Sequence, residues 1–198
     1  MSTRAATPML GTHPLGPKGP LWWGMIMLIL IELTVFGGLM AIYYYLKLYN
    51  PEFPPPGIDK PELLLPTLNT FVLLGAGLAM YLADKGIKAG DQLRLKLWKS
   101  VSLLLAIAFL TLKYIEYSGY DYDWTTHAYG SIVWTITGFH AAHVISVALK
   151  TVVVLAMAYR GMFRADRRMA VEANSLYFYF VVLIWLPLYF TLYISPRL

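Results

Sequence analysis

Five long apolar runs, separated by short polar links, organise this chain. The runs cover residues 21–46, 66–83, 100–117, 129–159 and 172–194. About 20 apolar residues are enough for an α-helix to cross a hydrocarbon core about 30 Å thick. Because a backbone in lipid must satisfy its own hydrogen bonds, the pattern predicts an all-α, polytopic membrane protein with a five-transmembrane-helix bundle.

The polar residues outside the apolar runs form an N-terminal tail and short links. Residues 1–20 are rich in Gly, Pro, Ser and Thr, which predicts a polar tail ahead of one membrane domain at 21–198. The link at 49–61 contains five prolines, which exclude a helix there. We expect no second domain, because no link is long enough to hold one.

Lysine and arginine are unevenly distributed among the tail and the links. The tail and the links after the second and fourth runs hold eleven of the sixteen basic residues, whereas the opposite side holds three. Since basic residues are enriched on the cytoplasmic side of a membrane, this bias predicts an inside N-terminus and an outside C-terminus. We therefore interpret the net charge of +5 as an orientation signal and expect no nucleic-acid partner.

Composition excludes several other classes of protein. The 198 residues are 58% hydrophobic and 14% charged, with a mean hydropathy of +0.56, whereas about a quarter of a water-soluble domain is charged. The chain has no cysteine, which excludes disulfides, thiolate metal sites and iron–sulfur clusters.

Glu32 is the most informative polar residue, because it lies in the middle of the first apolar run. A charged carboxylate in the bilayer costs several kcal/mol, so we expect Glu32 to be protonated or hydrogen-bonded inside the protein. Two interpretations stay open for it: a proton-linked or lipid-linked site, or a neutral glutamate that makes one interhelical hydrogen bond.

Two further pairs share a helix face at a spacing of three residues. Lys113 and Glu116, near the outer end of the third run, predict a structural ion pair. His140 and His143, on the fourth run, have the side chains that bind haem or metals. Two histidines one turn apart cannot supply both axial ligands of one haem, so we expect structural hydrogen bonds and no metal site.

Small and amide side chains predict helix contacts. Gly138 lies four residues before Ala142, a small-xxx-small spacing that favours close approach of two helices, and Gly130 lies two turns earlier. Asn69, near the start of the second run, predicts an interhelical hydrogen bond or a helix cap.

Several motifs in the right order resemble subunit III of the haem–copper terminal oxidases, the cytochrome c and quinol oxidases. The resemblance extends over residues 22–193 and rests on the following stretches: Trp23-Gly24-Met25 through Ile31-Glu32, Pro66-Thr67-Leu68-Asn69-Thr70, Glu116-Tyr117, Tyr129-Gly130-Ser131 with Thr137-Gly138-Phe139-His140 and His143-Val144, and Glu172-Ala173 with Trp185 and Tyr193. Family members usually have His and Asp in the last helix, where this chain has Tyr179 and Val182.

The resemblance implies both a fold and a role. Short members of the family have five helices, and the subunit binds no cofactor itself, so that haem and copper lie in the partner catalytic subunit I. The family role is to pack against that subunit and other oxidase subunits, to bind phospholipid and to support proton uptake. Glu32 matches the glutamate that reacts with carbodiimides, and the five-helix form favours the plasma (inner) membrane of a bacterium.

Three alternatives remain at the level of sequence. An accessory subunit of a nitric oxide reductase would have the same fold with a different catalytic partner. A small multi-pass transporter would need a polar cavity at mid-membrane and broken helices. A b-type cytochrome would need haem ligands, for which His140 and His143 are the candidates in the membrane.

Overall fold

The computed structural model describes residues 19–198 and confirms the predicted bundle of five helices. The helices are α1 (Pro20–Tyr49), α2 (Leu64–Lys88), α3 (Gln92–Ser118), α4 (Ala128–Tyr159) and α5 (Met169–Tyr189). All five are long and apolar enough to cross a membrane. The predicted tail lies outside the described residues, except for Gly19 and Pro20. Pro20 already belongs to the first turn of α1, where its missing N–H breaks no helical hydrogen bond.

The largest difference from the sequence prediction lies between α2 and α3. The prediction placed the basic residues at 85–99 in a link, but both helices continue until residues 89–91 alone connect them. Asp91 caps α3, because its Oδ1 accepts the backbone N–H of Arg94 at 2.9 Å, and Gly90 adopts a φ of +78° at the turn. The apolar runs did not include these helix ends, because the basic side chains there lower the local hydropathy.

The helices pack around α4 and α5. α5 contacts α1, α2 and α4, whereas α4 contacts α1, α3 and α5. The shared core is aromatic in its middle, where Phe36 of α1, Phe109 of α3 and Trp185 of α5 are buried. On α1, Phe36 and Tyr43 are the buried residues, so most of this helix faces away from the bundle.

The last helix changes its winding near its C-terminal end. Pro187 lies inside α5, which is followed by a π-helical turn at Phe190–Ile194 and a 3₁₀ turn at Ser195–Arg197. Proline removes one helical N–H donor and crowds the preceding turn, which favours such a change. The change in helix type begins three residues after Pro187.

Two glycines of α4 that the sequence analysis assigned to helix packing have different surroundings. A Cβ atom at Gly130 would lie 2.5 Å from the carbonyl oxygen of Asp123 and 3.1 Å from Nδ1 of His127. A Cβ atom at Gly138 would meet no atom within 4 Å. Gly130 is therefore packed against the link before its own helix, whereas Gly138 lies on an outward-facing side of α4 and meets no other helix among the described residues. A contact between Gly138 and another subunit stays a prediction.

We expect Gly130→Ala to destabilise the chain by about 1–3 kcal/mol, since the new methyl group must displace a backbone carbonyl. The matched control is Gly138→Ala, which has free space around it and gains about 1 kcal/mol of helix propensity. Denaturant titration of both variants in detergent micelles would check this. Equal stability of the two variants would contradict the close contact at Gly130.

Candidate functional site

The intramembrane carboxylate of Glu32 is paired with a histidine of another helix. Its Oε2 lies 2.9 Å from Nε2 of His143 on α4. The side chains retain 19% exposure for Glu32 and 10% for His143, so the pair lies at the edge of the bundle and not at its centre. The sequence analysis singled out both residues but not their contact.

The hydrogen bonds of His143 fix how many protons the pair holds. Nδ1 lies 2.7 Å from the carbonyl oxygen of Phe139. A carbonyl only accepts hydrogen bonds, so Nδ1 carries a proton. The bond between Nε2 and Glu32 then contains one more proton, which belongs to either side chain. The pair is neutral overall in both arrangements, so one proton can move between the side chains without leaving an unpaired charge in the membrane.

Aromatic rings cover the side of the Glu32–His143 pair that faces the bundle. The ring centroid of His143 lies 4.6 Å from that of Phe139 and 5.2 Å from that of Phe36. Tyr177 of α5 is 6.5 Å away, and Nζ of Lys150 lies 4.2 Å above the Tyr177 ring. The rings separate the pair from the rest of the bundle, which leaves its outward-facing edge as the side open to reagents.

His140 lies one turn from His143 but in a different environment. It is 1% exposed, and its Nε2 lies 3.0 Å from the carbonyl oxygen of Val181, to which it must donate. Its ring packs 4.8 Å from Trp185 and 5.7 Å from Phe109. The His140 ring is thus enclosed by Phe36, Phe109 and Trp185. Among the described residues, no group of three His, Cys, Asp or Glu side chains is placed to hold a metal ion.

A second polar cluster lies at the C-terminal end of α3. Nζ of Lys113 donates to Oε2 of Glu116 at 2.8 Å and to the hydroxyl of Tyr193, which itself donates to Oε1 of Glu116. Tyr120 also donates to Oε1, at 2.8 Å. The ammonium lies 4.6 Å from the ring centroid of Trp185. This ion pair is buried and closed by its own hydrogen bonds.

Tyr120 connects this cluster to the link beyond the end of α3. Burial, followed by the negative charge of Glu116, raises the pKa of the Tyr120 hydroxyl well above its ordinary value. The hydroxyl is therefore protonated at neutral pH and serves as a hydrogen-bond donor to the carboxylate.

The remaining predicted polar residues make separate local contacts. Nδ2 of Asn69 donates to the carbonyl oxygen of Phe109 at 3.1 Å, which links α2 to α3. Glu172, in the first turn of α5, accepts from Nε of Arg168 at 2.8 Å. The structure therefore brings the predicted residues together as pairs at different depths and not as one reaction centre.

An apolar groove opens between α1, α4 and α5, at the end of the bundle where α4 ends and α5 begins. Its volume is about 550 Å³. The lining combines aliphatic and thioether side chains with two basic ones, Lys150 and Arg167. An anionic lipid has the matching chemistry, because its acyl chain can fill the groove and its phosphate can meet the basic side chains.

Known proteins are similar to this chain over nearly its whole length. The family described as cytochrome c oxidase subunit III matches residues 3–196. The chain belongs to this family. A cytochrome c oxidase subunit 3 from Thermostichus vulcanus is 30% identical over 175 residues, which cover 88% of this chain and 87% of the relative. One from Oryctolagus cuniculus is 33% identical over 190 residues, which cover 92% of this chain and 72% of the relative.

Residues from different subunit III motifs are hydrogen-bonded to each other in the structure. The Glu of the first motif contacts the His of the fourth, as Glu32 and His143 show. Nε1 of Trp185, in the last motif, donates to Oγ1 of Thr70, in the second, at 2.9 Å. Motifs that are distant in sequence are therefore joined by hydrogen bonds between helices.

The two positions that depart from the usual subunit III pattern are both accommodated. The hydroxyl of Tyr179 donates to Oδ2 of Asp84 on α2 at 2.6 Å. Val182 packs against α2 at Gly77, where a Cβ atom would lie 3.3 Å from it. The carboxylate beside Tyr179 therefore comes from α2.

Sequence reasoning missed Asp84, because the second apolar run was taken to end at residue 83. It also missed Lys99, which was assigned to a link and is 0% exposed in the structure. The usable signal was the spacing of Ser175 and Tyr179, which places two hydroxyls on one face of α5.

Family membership also bears on the alternatives. The relatives named above are oxidase subunits, so neither the transporter nor the b-type cytochrome is favoured. The accessory subunit of a nitric oxide reductase is not favoured either.

Proposed function

We propose that this subunit III chain is a non-catalytic part of a proton-pumping haem–copper terminal oxidase in the plasma membrane of a bacterium. Its partner is the catalytic subunit I, which holds haem and copper, together with the other oxidase subunits. The chain binds no redox cofactor of its own. It stabilises subunit I, binds phospholipid and supports proton uptake.

The non-catalytic role is supported by how the two membrane histidines are used. A haem iron needs an imidazole nitrogen that is free to bind it and space for a porphyrin beside the ring. His140 is enclosed by aromatic rings, and both nitrogens of His143 are hydrogen-bonded. Neither histidine meets both requirements, so electron transfer is left to the partner.

The apolar groove supports the lipid-binding role. Its apolar lining suits an acyl chain, and Arg167 lies in the link between α4 and α5, where a phosphate of the inner leaflet would lie. Phospholipid that stays with the complex during detergent washing should be reduced in Arg167→Gln and retained in Arg160→Gln, whose side chain does not line the groove.

Mild detergent extraction from native membranes tests the proposed function directly. We expect this chain to co-purify with a larger subunit that gives the Soret absorption of haem, and the complex should consume oxygen. Recovery of a colourless chain without a partner would overturn the proposal. Consumption of nitric oxide instead of oxygen would replace the oxidase with a reductase.

Glu32→Gln should abolish labelling by a hydrophobic carbodiimide while leaving assembly intact. The labelling reaction needs a carboxyl group, and the edge position of Glu32 leaves it reachable from lipid. The amide of glutamine keeps the hydrogen bond, because its N–H can donate to Nε2 of His143. Glu62→Gln, which changes an exposed glutamate of an outer link, is the matched control and should label normally. Labelling that persists in Glu32→Gln would assign the reaction to another carboxyl group.

A further inference from the structure

A cluster of buried polar side chains lies near the inner end of the bundle, where α2, α3 and α5 meet. We name it the Asp84 cluster; it consists of Asp84 of α2, Lys99 of α3, and Ser175 and Tyr179 of α5. It is separate from the Glu32–His143 pair, and the proposed function makes no use of it. Three helices each contribute to it, so it depends on the tertiary structure.

The carboxylate of Asp84 is held by two hydroxyl donors. Ser175 donates to Oδ1 and Tyr179 to Oδ2, each at 2.6 Å. Asp84 is 8% exposed, whereas the hydroxyls come from residues one turn apart on the facing helix. Hydrogen bonds to both oxygens orient the carboxylate and stabilise its charged form.

Lys99 supplies the positive charge nearest to the cluster from α3. It is 0% exposed, and its Nζ donates to Sδ of Met80 at 3.3 Å. Sulfur is a weak acceptor, so this contact compensates little of the ammonium charge. Asp84 is the group with which Lys99 interacts electrostatically. Each residue thus reduces the unfavourable burial of the other.

The other titratable groups near Asp84 lie towards the aqueous side or the surface. Lys88, one turn further along α2, interacts with the Asp84 carboxylate, and Tyr81 of α2 interacts with Tyr179 of α5. Lys88 is exposed and in the last turn of α2, at the end where most basic residues lie. The Asp84 carboxylate therefore lies one helical turn before the exposed end of α2.

We propose that the Asp84 cluster is a proton-binding site with the Asp84 carboxylate as the acceptor. A proton from the aqueous phase at this end forms an O–H bond at Oδ2, and this O–H then donates to the hydroxyl oxygen of Tyr179, which no longer donates to the carboxylate. Ser175 continues to hold Oδ1. Lys99 balances the carboxylate charge before the proton binds, so occupancy changes the site from neutral to singly positive. This inference goes beyond the proposed function, which assigns no role to Asp84, Lys99, Ser175 or Tyr179.

Infrared difference spectroscopy of the whole complex tests the site as the pH is lowered. We expect the carbonyl stretch of a protonated carboxylic acid to appear and to shift in deuterated water, and this band should be missing in Asp84→Asn. Asp91→Asn, an exposed aspartate at the same end, is the matched control and should keep the band. Persistence of the full band in Asp84→Asn would overturn the proposal.

Two further variants separate a proton-binding site from a merely structural cluster. Tyr179→Phe should change the frequency of the band, because one hydrogen bond to the carboxyl group is lost. Lys99→Met should raise the pH at which half of the band has appeared by about one unit or more, since a nearby cation favours the carboxylate. An unchanged frequency in Tyr179→Phe and an unchanged midpoint in Lys99→Met would overturn the assignment.

The infrared result for Asp84 does not depend on the outcome of the co-purification test of the proposed function. The band belongs to Asp84 itself, whereas the proposed function is tested by the partner and by the gas consumed. A complex with a different catalytic partner would still show the band, so the two proposals fail in distinguishable ways. Tyr179→Phe changes one hydroxyl and keeps the ring, so it reports on the site even if Asp84→Asn does not assemble.

Discussion

Lys113→Met should destabilise the chain by about 3–5 kcal/mol, the usual effect of breaking a buried ion pair. Lys113 is 2% exposed, and its ammonium neutralises Glu116 in the membrane. Without it, the carboxylate keeps its tyrosine donors but has no cation. We would measure the free energy of unfolding by denaturant titration in micelles.

Two comparisons separate charge from packing in this experiment. The double variant Lys113→Met with Glu116→Gln should be more stable than the sum of the two single effects predicts, because it leaves no unpaired charge. Lys60→Met, at an exposed lysine of the link between α1 and α2, should change stability by no more than about 0.5 kcal/mol. Additive effects in the double variant would show that the pair is not coupled.

Trp185→Ala should cost about 3–5 kcal/mol, because it opens a cavity at the centre of the bundle. Trp185 is 1% exposed and packs edge-to-face on Phe109 at 5.3 Å. Its indole N–H donates to Thr70, and its ring faces the Lys113 ammonium. Denaturant titration in micelles would measure this cost. Thermal unfolding of the purified complex, monitored by the release of this chain, would provide a second measurement.

The matched control is Tyr114→Ala, which removes a large aromatic ring that is 74% exposed on α3. Its effect should lie within about 0.5 kcal/mol of zero. Trp185→Phe should fall between the two, since it keeps an aromatic ring but loses the bond to Thr70. A similar cost for Trp185→Ala and Tyr114→Ala would mean that the core does not depend on this indole.

The contrast between Gly130 and Gly138 shows where pattern reasoning reached its limit. Both glycines lie on α4 and both suited a close helix contact, yet Gly130 meets the link that precedes its own helix and Gly138 meets no atom within 4 Å. Which face of α4 meets another helix depends on the rotation of that helix in the bundle. Hydropathy could not supply the rotation, because apolar residues cover α4 on all sides.

Lys99 and Glu32 show the same limit for charged residues. Lys99 was counted among the basic residues of a link, but α3 begins at Gln92 and buries this side chain against Met80. Glu32 was recognised as a membrane carboxylate, but its partner His143 lies 111 positions later in the sequence. Partners this far apart become visible only when the helices are assembled.

The sequence by itself determined that the chain spans a membrane as five helices, and its motifs indicated the subunit III family. It could do so because lipid requires about 20 apolar residues for each span and every backbone hydrogen bond within it. The tertiary structure alone decided which polar groups meet, including Glu32 with His143, Glu116 with Tyr193, and Asp84 with Tyr179. The reason is that a buried polar group is stable only with a partner, and that partner is set by how the helices rotate and pack against each other.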